Sequence, residues 1–182
     1  MDRDFLFAIA EDEAREGSIP KADIVASIRS DDTELAGAIY DIVTTDKLKK
    51  RIEPPLADKE LDGLITEYFE RCILTDPKGE WTLTRYGAAW EAQACILDVW
   101  EREGGSSESF VKWKKWMEKL YRAGDEKIKR AIVDGILEHL FEKKGLRQSF
   151  ADWKADSNLK TAYDEAQLWA DTQPKTAKPG TA

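Results

Sequence analysis

Apolar residues recur at intervals of three and four positions along most of the chain, and this spacing constrains the fold more than any other feature. The clearest stripe lies at 58–71 and comprises five apolar side chains: Leu61, Leu64, Ile65, Tyr68 and Phe69. Similar stripes predict further helices at 4–16, 21–28, from 33 onward, 84–100, 110–120 and 128–140, with shorter helices near 150–153 and 159–169. The sequence therefore predicts a mainly α fold.

One stretch departs from the helical spacing and predicts a short β-hairpin. Ile73-Leu74 leads into the polar turn Asp76-Pro77-Lys78-Gly79, and Trp81-Thr82-Leu83 then alternates apolar and polar side chains as a strand does. Thr84 follows as the expected N-cap of the next helix. The adjacent prolines at 54–55 end the preceding helical pattern, because proline cannot continue a helix.

The distribution of charge and glycine predicts two domains. Residues 1–103 hold 13 basic and 24 acidic residues, a net charge of −11, whereas residues 104–182 hold 15 and 12, a net charge of +3. The change of sign coincides with a GGSS segment of linker composition. We expect an acidic helical domain at 1–103, a linker at 104–107, a helical-hairpin domain at 108–171 and a disordered tail at 172–182.

The sequence contains none of the common catalytic or metal-binding patterns. His139 is the only histidine in the chain, and no HExxH, GxxxxGK[ST] or GxGxxG motif occurs. A structural or partner-facing role is expected for His139, since no nucleophile or carboxylate motif accompanies it. Cys72 and Cys95 lie among apolar neighbours and are expected to be buried thiols, with a disulfide as the alternative. The sequence thus predicts no enzyme, no cofactor and no metal site.

Two features bear on where the protein works. The longest apolar runs span only a few residues, and the N-terminal segment MDRDFLFAIAEDEARE carries acidic residues at both ends, unlike a signal peptide. We therefore expect a soluble cytoplasmic protein without a membrane segment.

The region at 20–95 resembles the winged-helix superfamily. In that superfamily a helix ends in an apolar pair, a hairpin follows, and an LT-x-x-G segment opens the next helix. Here Ile73-Leu74, 76–79 and the segment Leu83-Thr84-Arg85-Tyr86-Gly87 occupy those positions. The resemblance implies a winged-helix-like domain and makes duplex DNA a partner to consider.

The charge of the helix before this hairpin disfavours DNA. A DNA-reading helix presents basic and amide side chains to phosphates and bases. The helix at 58–71 offers only Lys59 and Arg71 against five acids: Asp58, Glu60, Asp62, Glu67 and Glu70. One basic cluster at 47–51 could contact phosphate, but a solvated loop is the alternative that we favour.

The C-terminal region carries a second resemblance. The segments DEKIKRAIVDGILEHLFEKKG and FADWKADSNLKTAYDEAQLW, within 108–170, are similar to the helical region of small bacterial proteins associated with polymorphic-toxin immunity. This resemblance implies a cytoplasmic protein that acts by binding another protein.

These observations predict a non-enzymatic protein-binding module, of the bacterial immunity or antitoxin type, that masks a basic partner such as a toxin or effector. A winged-helix transcriptional regulator and a phage-encoded inhibitor of a host complex are the alternatives, and the oligomeric state is left open. Trp113 shares the apolar stripe of its helix, whereas Trp116 falls at the edge and is the better surface candidate. The predicted partner-binding residues are Asp58, Glu60, Asp62, Glu67, Glu70 and Trp116.

Overall fold

A computed structural model describes residues 3–173, and these residues confirm the mainly α fold. The elements up to the middle of the chain are α1 (Arg3–Glu11), β1 (Ile19–Pro20), α2 (Lys21–Ile28), α3 (Thr33–Thr44), α4 (Asp46–Lys49), β2 (Ile52–Glu53), α5 (Asp58–Thr75) and α6 (Arg85–Glu103). The later elements are α7 (Glu108–Ala123), α8 (Glu126–Ile132), a π-helical turn (Val133–Leu137), α9 (Glu138–Phe141), α10 (Lys144–Gln148), a 3-10 turn (Ala151–Ala155) and α11 (Lys160–Thr172).

Contacts divide the chain into two compact units, one up to Ala88 and one from Ala89 onward, so the division falls inside α6. The GGSS segment at 104–107 forms a turn between α6 and α7, and Gly104 there has a φ of 84°. Glycine adopts this left-handed conformation without the strain that a Cβ brings. The predicted domain limits, with a linker at 104–107, stay a prediction. The predicted tail at 172–182 lies outside the described residues from 174 onward.

The predicted helix at 21–28 is confirmed as α2, and α3 begins at Thr33 as expected. Asp32 is the N-cap of α3, and its Oδ1 accepts a hydrogen bond of 3.0 Å from the Leu35 N–H. Such a cap satisfies one of the backbone donors left open at a helix start. The apolar stripe of α3 lies in the core of the first unit, where Ile39, Ile42 and Val43 are buried.

Helix α1 is shorter than the predicted span of 4–16, since it ends at Glu11. Asp12 Oδ1 accepts a hydrogen bond of 2.9 Å from the Ala14 N–H, which offers the backbone an alternative to another helical turn. Residues 12–18 are all exposed, so no apolar contact extends the helix.

The predicted β-hairpin at 73–83 is wrong. Ile73 and Leu74 belong to the last turn of α5, which ends at Thr75, and the C-cap Asp76 has a left-handed conformation with a φ of 49°. Residues 76–84 then form an irregular segment that we call the α5–α6 connector. The two short strands in the described part of the chain lie elsewhere and pair in parallel, with Ile19 opposite Ile52.

The connector has side chains of other elements as hydrogen-bond partners in place of a second strand. Glu34 Oε2 accepts from the Trp81 N–H at 3.1 Å, and the Tyr68 hydroxyl accepts from the Leu83 N–H at 3.1 Å. Backbone donors must find partners when they leave water, and side-chain acceptors serve as well as a strand. The residues at 81–83, which alternate apolar and polar side chains, therefore find hydrogen-bond partners without forming a strand.

The predicted helical hairpin of the C-terminal region is present as α7 and α8. Asp125 is the N-cap of α8, and its Oδ1 accepts a 3.0 Å hydrogen bond from the Ile128 N–H. A cluster of aromatic rings forms the core of this second unit. Phe150 lies at its centre, with ring centroids 5.2–5.8 Å from those of Trp153, Phe141 and Phe110.

Candidate partner-binding surfaces

Two of the five predicted acids of α5 pair with basic side chains at the two ends of α2, where Lys21 is the first helical residue and Arg29 is the C-cap. Glu60 Oε2 lies 2.7 Å from Lys21 Nζ, and Glu67 accepts two hydrogen bonds from Arg29, at 2.7 and 2.9 Å. The pair of parallel bonds between guanidinium and carboxylate is a geometrically specific arrangement. These two acids therefore join α5 to α2 within the first unit.

Glu60 has a second structural role at the start of α5. Its Oε2 also accepts a hydrogen bond of 3.0 Å from the Ala57 N–H, which caps the helix N-terminus. The hydrogen bond from Lys21, followed by that from Ala57, holds the pKa of Glu60 below its ordinary value. A partner would have to compete with Lys21 for this carboxylate.

The other predicted acids of α5 differ in exposure. Asp58 and Asp62 are exposed and one helical turn apart, whereas Glu70 is half-buried. The structure thus does not present the five acids as one open face, and their role in binding stays a prediction.

The expected order of exposure of the two tryptophans of α7 is wrong. Trp116 is only 8% exposed and lies among the core residues, while Trp113 is half-buried. Their rings meet edge to face with centroids 5.2 Å apart. Trp116 packs on the inner side of the pair, because Met117, Leu120 and Phe110 of the same helix are buried with it. Its role as a partner contact stays a prediction.

A cleft of about 420 Å³ in the first unit was missed by the sequence reasoning. Its walls come from α1, from the first turn of α3 and from the α5–α6 connector. We call it the acidic cleft, and its lining residues are Arg3, Asp4, Phe7, Ala8, Glu11, Glu34, Glu80 and Trp81. Four carboxylates therefore face a single cation.

The single cation of the acidic cleft is already engaged. Arg3 Nε donates a 2.8 Å hydrogen bond to Asp32 Oδ2, and its guanidinium carbon lies 4.7 Å from the Phe7 ring centroid. Glu34 is held by the Trp81 N–H. Within residues 3–173, neither Glu11 nor Glu80 makes an ion pair, so both carboxylates are open to a ligand.

Two aromatic rings contribute to the walls of the acidic cleft. The Phe7 and Trp81 rings meet edge to face with centroids 5.8 Å apart, and both side chains are half-buried. The cleft therefore combines ring surface with carboxylates. No sequence signal could have found it, because its acids are separated by up to 76 positions of chain, from Asp4 to Glu80.

The remaining candidate residues have structural surroundings. His139 Nδ1 lies 3.5 Å from Glu142 Oε1, and the imidazole meets the Trp169 ring with centroids 5.0 Å apart. Cys72 is a buried thiol and Cys95 is a half-buried thiol, and no disulfide joins them, so that alternative is not realised. Arg51, in the basic cluster at 47–51, donates a 2.8 Å hydrogen bond to the Gly17 carbonyl.

Neither a metal-binding cluster nor a membrane-spanning helix is found among the described residues. Residues 3–173 contain no group of three or more histidine, cysteine, aspartate or glutamate side chains placed to hold a metal ion. Over the same span, every helix is too short or too polar to cross a membrane.

In comparisons with protein families, curated proteins and solved structures, nothing matches this chain. The resemblances to winged-helix proteins and to immunity-associated proteins therefore stay predictions.

Proposed function

We propose that this chain is a non-enzymatic protein-binding module and that its acidic cleft receives a basic segment of a partner protein. The observation that carries the proposal is the composition of the cleft, whose lining includes four carboxylates, two aromatic rings and one cation that is already engaged. Glu11 and Glu80 are the residues expected to meet the partner directly.

The lining chemistry suits an arginine or lysine side chain. A guanidinium or ammonium group gains from a nearby carboxylate and from an aromatic face, the latter by about 0.5–2 kcal/mol depending on desolvation. Trp81 supplies the larger ring, and Glu80 precedes it in the chain. An acidic peptide would meet repulsion at the same place.

The charge of the N-terminal region supports the same choice of partner. Residues 1–103 carry a net charge of −11, so the acidic cleft belongs to a region of the chain that is itself strongly acidic. Complementary charge accelerates association and suppresses wrong partners more than it raises affinity. We expect binding that is rapid at low salt.

Among protein-binding modules, we propose a bacterial immunity or antitoxin-type inhibitor that masks a toxin or effector in the cytoplasm. The resemblance to immunity-associated proteins that we predict for the segment at 108–170 is the reason for choosing this type of inhibitor. A phage-encoded inhibitor of a host complex would use the same binding chemistry, and identification of the partner separates the two.

The experiment is a matched pair of charge reversals. The chain is tagged, expressed in its native host and used to recover partners, and the interaction is then measured with both purified proteins. We expect Glu11→Lys with Glu80→Lys to weaken binding by about tenfold or more, since each reversed charge near the ligand costs on the order of 1 kcal/mol.

The control carries the same change of net charge outside the cleft. Glu13→Lys with Glu16→Lys alters two exposed residues of the segment after α1 that do not line the cleft. Equal loss of affinity in both double variants, or a partner with an acidic binding surface, would refute the assignment of the cleft.

A further inference from the structure

The second unit contains a separate cleft of about 540 Å³. It lies beside the end of α7, along α8, and beside the segment that leads into α11. We call it the basic cleft, and its lining residues are Tyr121, Arg122, Glu126, Lys129, Arg130, Val133, Ser157, Asn158, Thr161 and Glu165. Three cations and two carboxylates line it, so the lining carries a net charge of +1.

Two of its three cations are held by carboxylates. Arg122 pairs with Asp156, and Arg130 Nη1 lies 3.0 Å from Glu165 Oε2. Arg130 Nε also lies 3.5 Å from Glu126 Oε1. Arg130 therefore neutralises the two lining carboxylates in part, and the pairs fix the positions of both guanidinium groups.

Lys129 differs from both arginines. Its Nζ lies 5.7 Å from the ring centroid of Tyr121, and no carboxylate within residues 3–173 pairs with it. A lysine ammonium has three donors, and none of them is used by a neighbouring acid here. The cleft thus contains one positive charge that is available to a ligand.

Three neutral side chains with hydrogen-bond donors lie on the same cleft. Over the described span, the side chains of Ser157, Asn158 and Thr161 make no hydrogen bond, although the Asn158 backbone N–H donates to Asp156. They belong to the segment that leads into α11 and to its first turn. A cation together with several hydrogen-bond donors that lack a partner is the combination of side chains that binds an oxyanion.

The helix that carries Lys129 changes its geometry beside the basic cleft. α8 passes into a π-helical turn at Val133, which is itself a lining residue. Single π-helical turns within α-helices are rare and occur frequently at functional sites. The turn is thus a second feature, independent of charge, that marks this part of the unit.

We propose that the basic cleft binds a small phosphate-bearing ligand, with Lys129 as the charge contact and Ser157, Asn158 and Thr161 as neutral donors. The volume lies within the range of small-molecule sites, and the polar lining suits a hydrophilic ligand better than an apolar one. This site goes beyond the proposed partner-binding function and does not depend on it.

The test is a titration of the full chain with inorganic pyrophosphate, followed by NMR of the backbone amides and by calorimetry. Sodium chloride at matched ionic strength is the reference, because any cation attracts anions weakly at low salt. We expect saturable shifts confined to residues near 121–133 and 157–161. Absence of saturable binding into the millimolar range, or equal shifts with chloride, would overturn the proposal.

Lys129→Ala and Lys127→Ala form the matched pair of variants. Both remove one lysine of α8, but Lys127 is exposed and does not line the cleft. We expect about a tenfold or greater loss of pyrophosphate affinity for Lys129→Ala, as for a charge-assisted hydrogen bond, and less than about a twofold loss for Lys127→Ala. Equal losses in the two variants would overturn the proposal.

Thr161→Val provides a second variant at nearly constant side-chain volume. It removes a hydroxyl and leaves the charge of the cleft unchanged, so a weaker affinity for pyrophosphate reports a direct hydrogen bond. The thermal midpoint of each variant without ligand shows that the fold is retained. Full affinity in Thr161→Val together with full affinity in Lys129→Ala would contradict the site.

Discussion

The hydroxyl of Tyr68 accepts a hydrogen bond of 3.1 Å from the backbone N–H of Leu83, and this contact joins α5 to the α5–α6 connector. The Tyr68 side chain is buried, and its ring stacks on that of Tyr40 with centroids 5.1 Å apart. Burial raises the pKa of the Tyr68 hydroxyl, so the group stays neutral. One side chain thus supplies the partner that a hairpin strand would have supplied.

Tyr68→Phe is expected to lower the free energy of unfolding by about 1–3 kcal/mol, because the Leu83 N–H loses its acceptor while the ring is retained. Urea denaturation measures the change. Tyr163→Phe is the control, since Tyr163 is buried and its hydroxyl makes no hydrogen bond within residues 3–173. Equal destabilisation by the two substitutions would argue against the role given to the Leu83 contact.

Gly37 marks a close approach between α3 and the connector. A Cβ at Gly37 would lie 1.9 Å from the Trp81 carbonyl oxygen, whereas a Cβ at Gly63 of α5 would meet no atom within 4 Å. We expect Gly37→Ala to destabilise the protein by about 3 kcal/mol or more, since backbone has to move. Gly63→Ala should instead stabilise it by about 0.5–1 kcal/mol, because alanine favours a helix interior.

The two glycine variants are compared by thermal and urea denaturation under the same conditions. Opposite signs are expected for the change in the free energy of unfolding. If Gly37→Ala were neutral, α3 and the Trp81 backbone would not be in contact in solution.

Asp32 links stability to pH. The hydrogen bond from Arg3, followed by that from the Leu35 N–H, lowers the pKa of Asp32 below its ordinary value of 3.8. As the pH falls, this carboxyl is therefore protonated in the unfolded chain at a higher pH than in the folded chain. The contribution of Asp32 to stability is therefore complete above pH 3.8, the pKa in the unfolded chain. It is lost as the pH falls through the pKa of Asp32 in the folded chain.

Asp32→Ala should cost about 1 kcal/mol at neutral pH, as for loss of an N-cap, and this cost should shrink as the carboxyl is protonated. Asp31→Ala, a change of the exposed neighbour, should have little effect at any pH. The free energy of unfolding is measured by denaturant titration at a series of pH values, from neutral pH to values below 3.8. A cost for Asp32→Ala that stays constant across this range would rule out the linkage.

The helices with strong local signals could be predicted from the sequence. α2 and the start of α3 follow from apolar spacing and from the Asp32 cap, which are properties of neighbouring residues. The connector could not, because the acceptors for its backbone come from Glu34 and Tyr68, which lie 47 and 15 positions away in the chain. Local alternation at 81–83 carries no information about such partners.

The same limit applies to the candidate sites. The acids of α5 were predicted correctly as a charged helix, but not the pairing of Glu60 and Glu67 with α2, which depends on how the helices dock. The acidic cleft arises only when α1, α3 and the connector meet. The edge position of Trp116 on its helix likewise did not predict its burial, which depends on which other elements pack against α7.

Duplex DNA is expected not to bind. Binding to the backbone of a DNA duplex requires several cations along one face, whereas Lys21 and Arg29, at the two ends of α2, are paired with acids of α5. An electrophoretic mobility shift at low salt should show no retardation of a mixed-sequence duplex. Retardation that weakens steeply with added salt would favour the transcriptional regulator over the protein-binding module.

The most direct test of the central claim is the association rate constant of the purified chain and its partner as a function of ionic strength. For the unmodified chain, we expect fast association at low salt and a fall of one order of magnitude or more toward high salt, as for steered pairs. Glu11→Lys with Glu80→Lys should reduce the association rate constant at low salt and weaken its dependence on ionic strength. Glu13→Lys with Glu16→Lys should retain most of the rate constant and most of its salt dependence. A rate that does not depend on salt, or that is equally altered in the two double variants, would contradict the acidic cleft as the binding site.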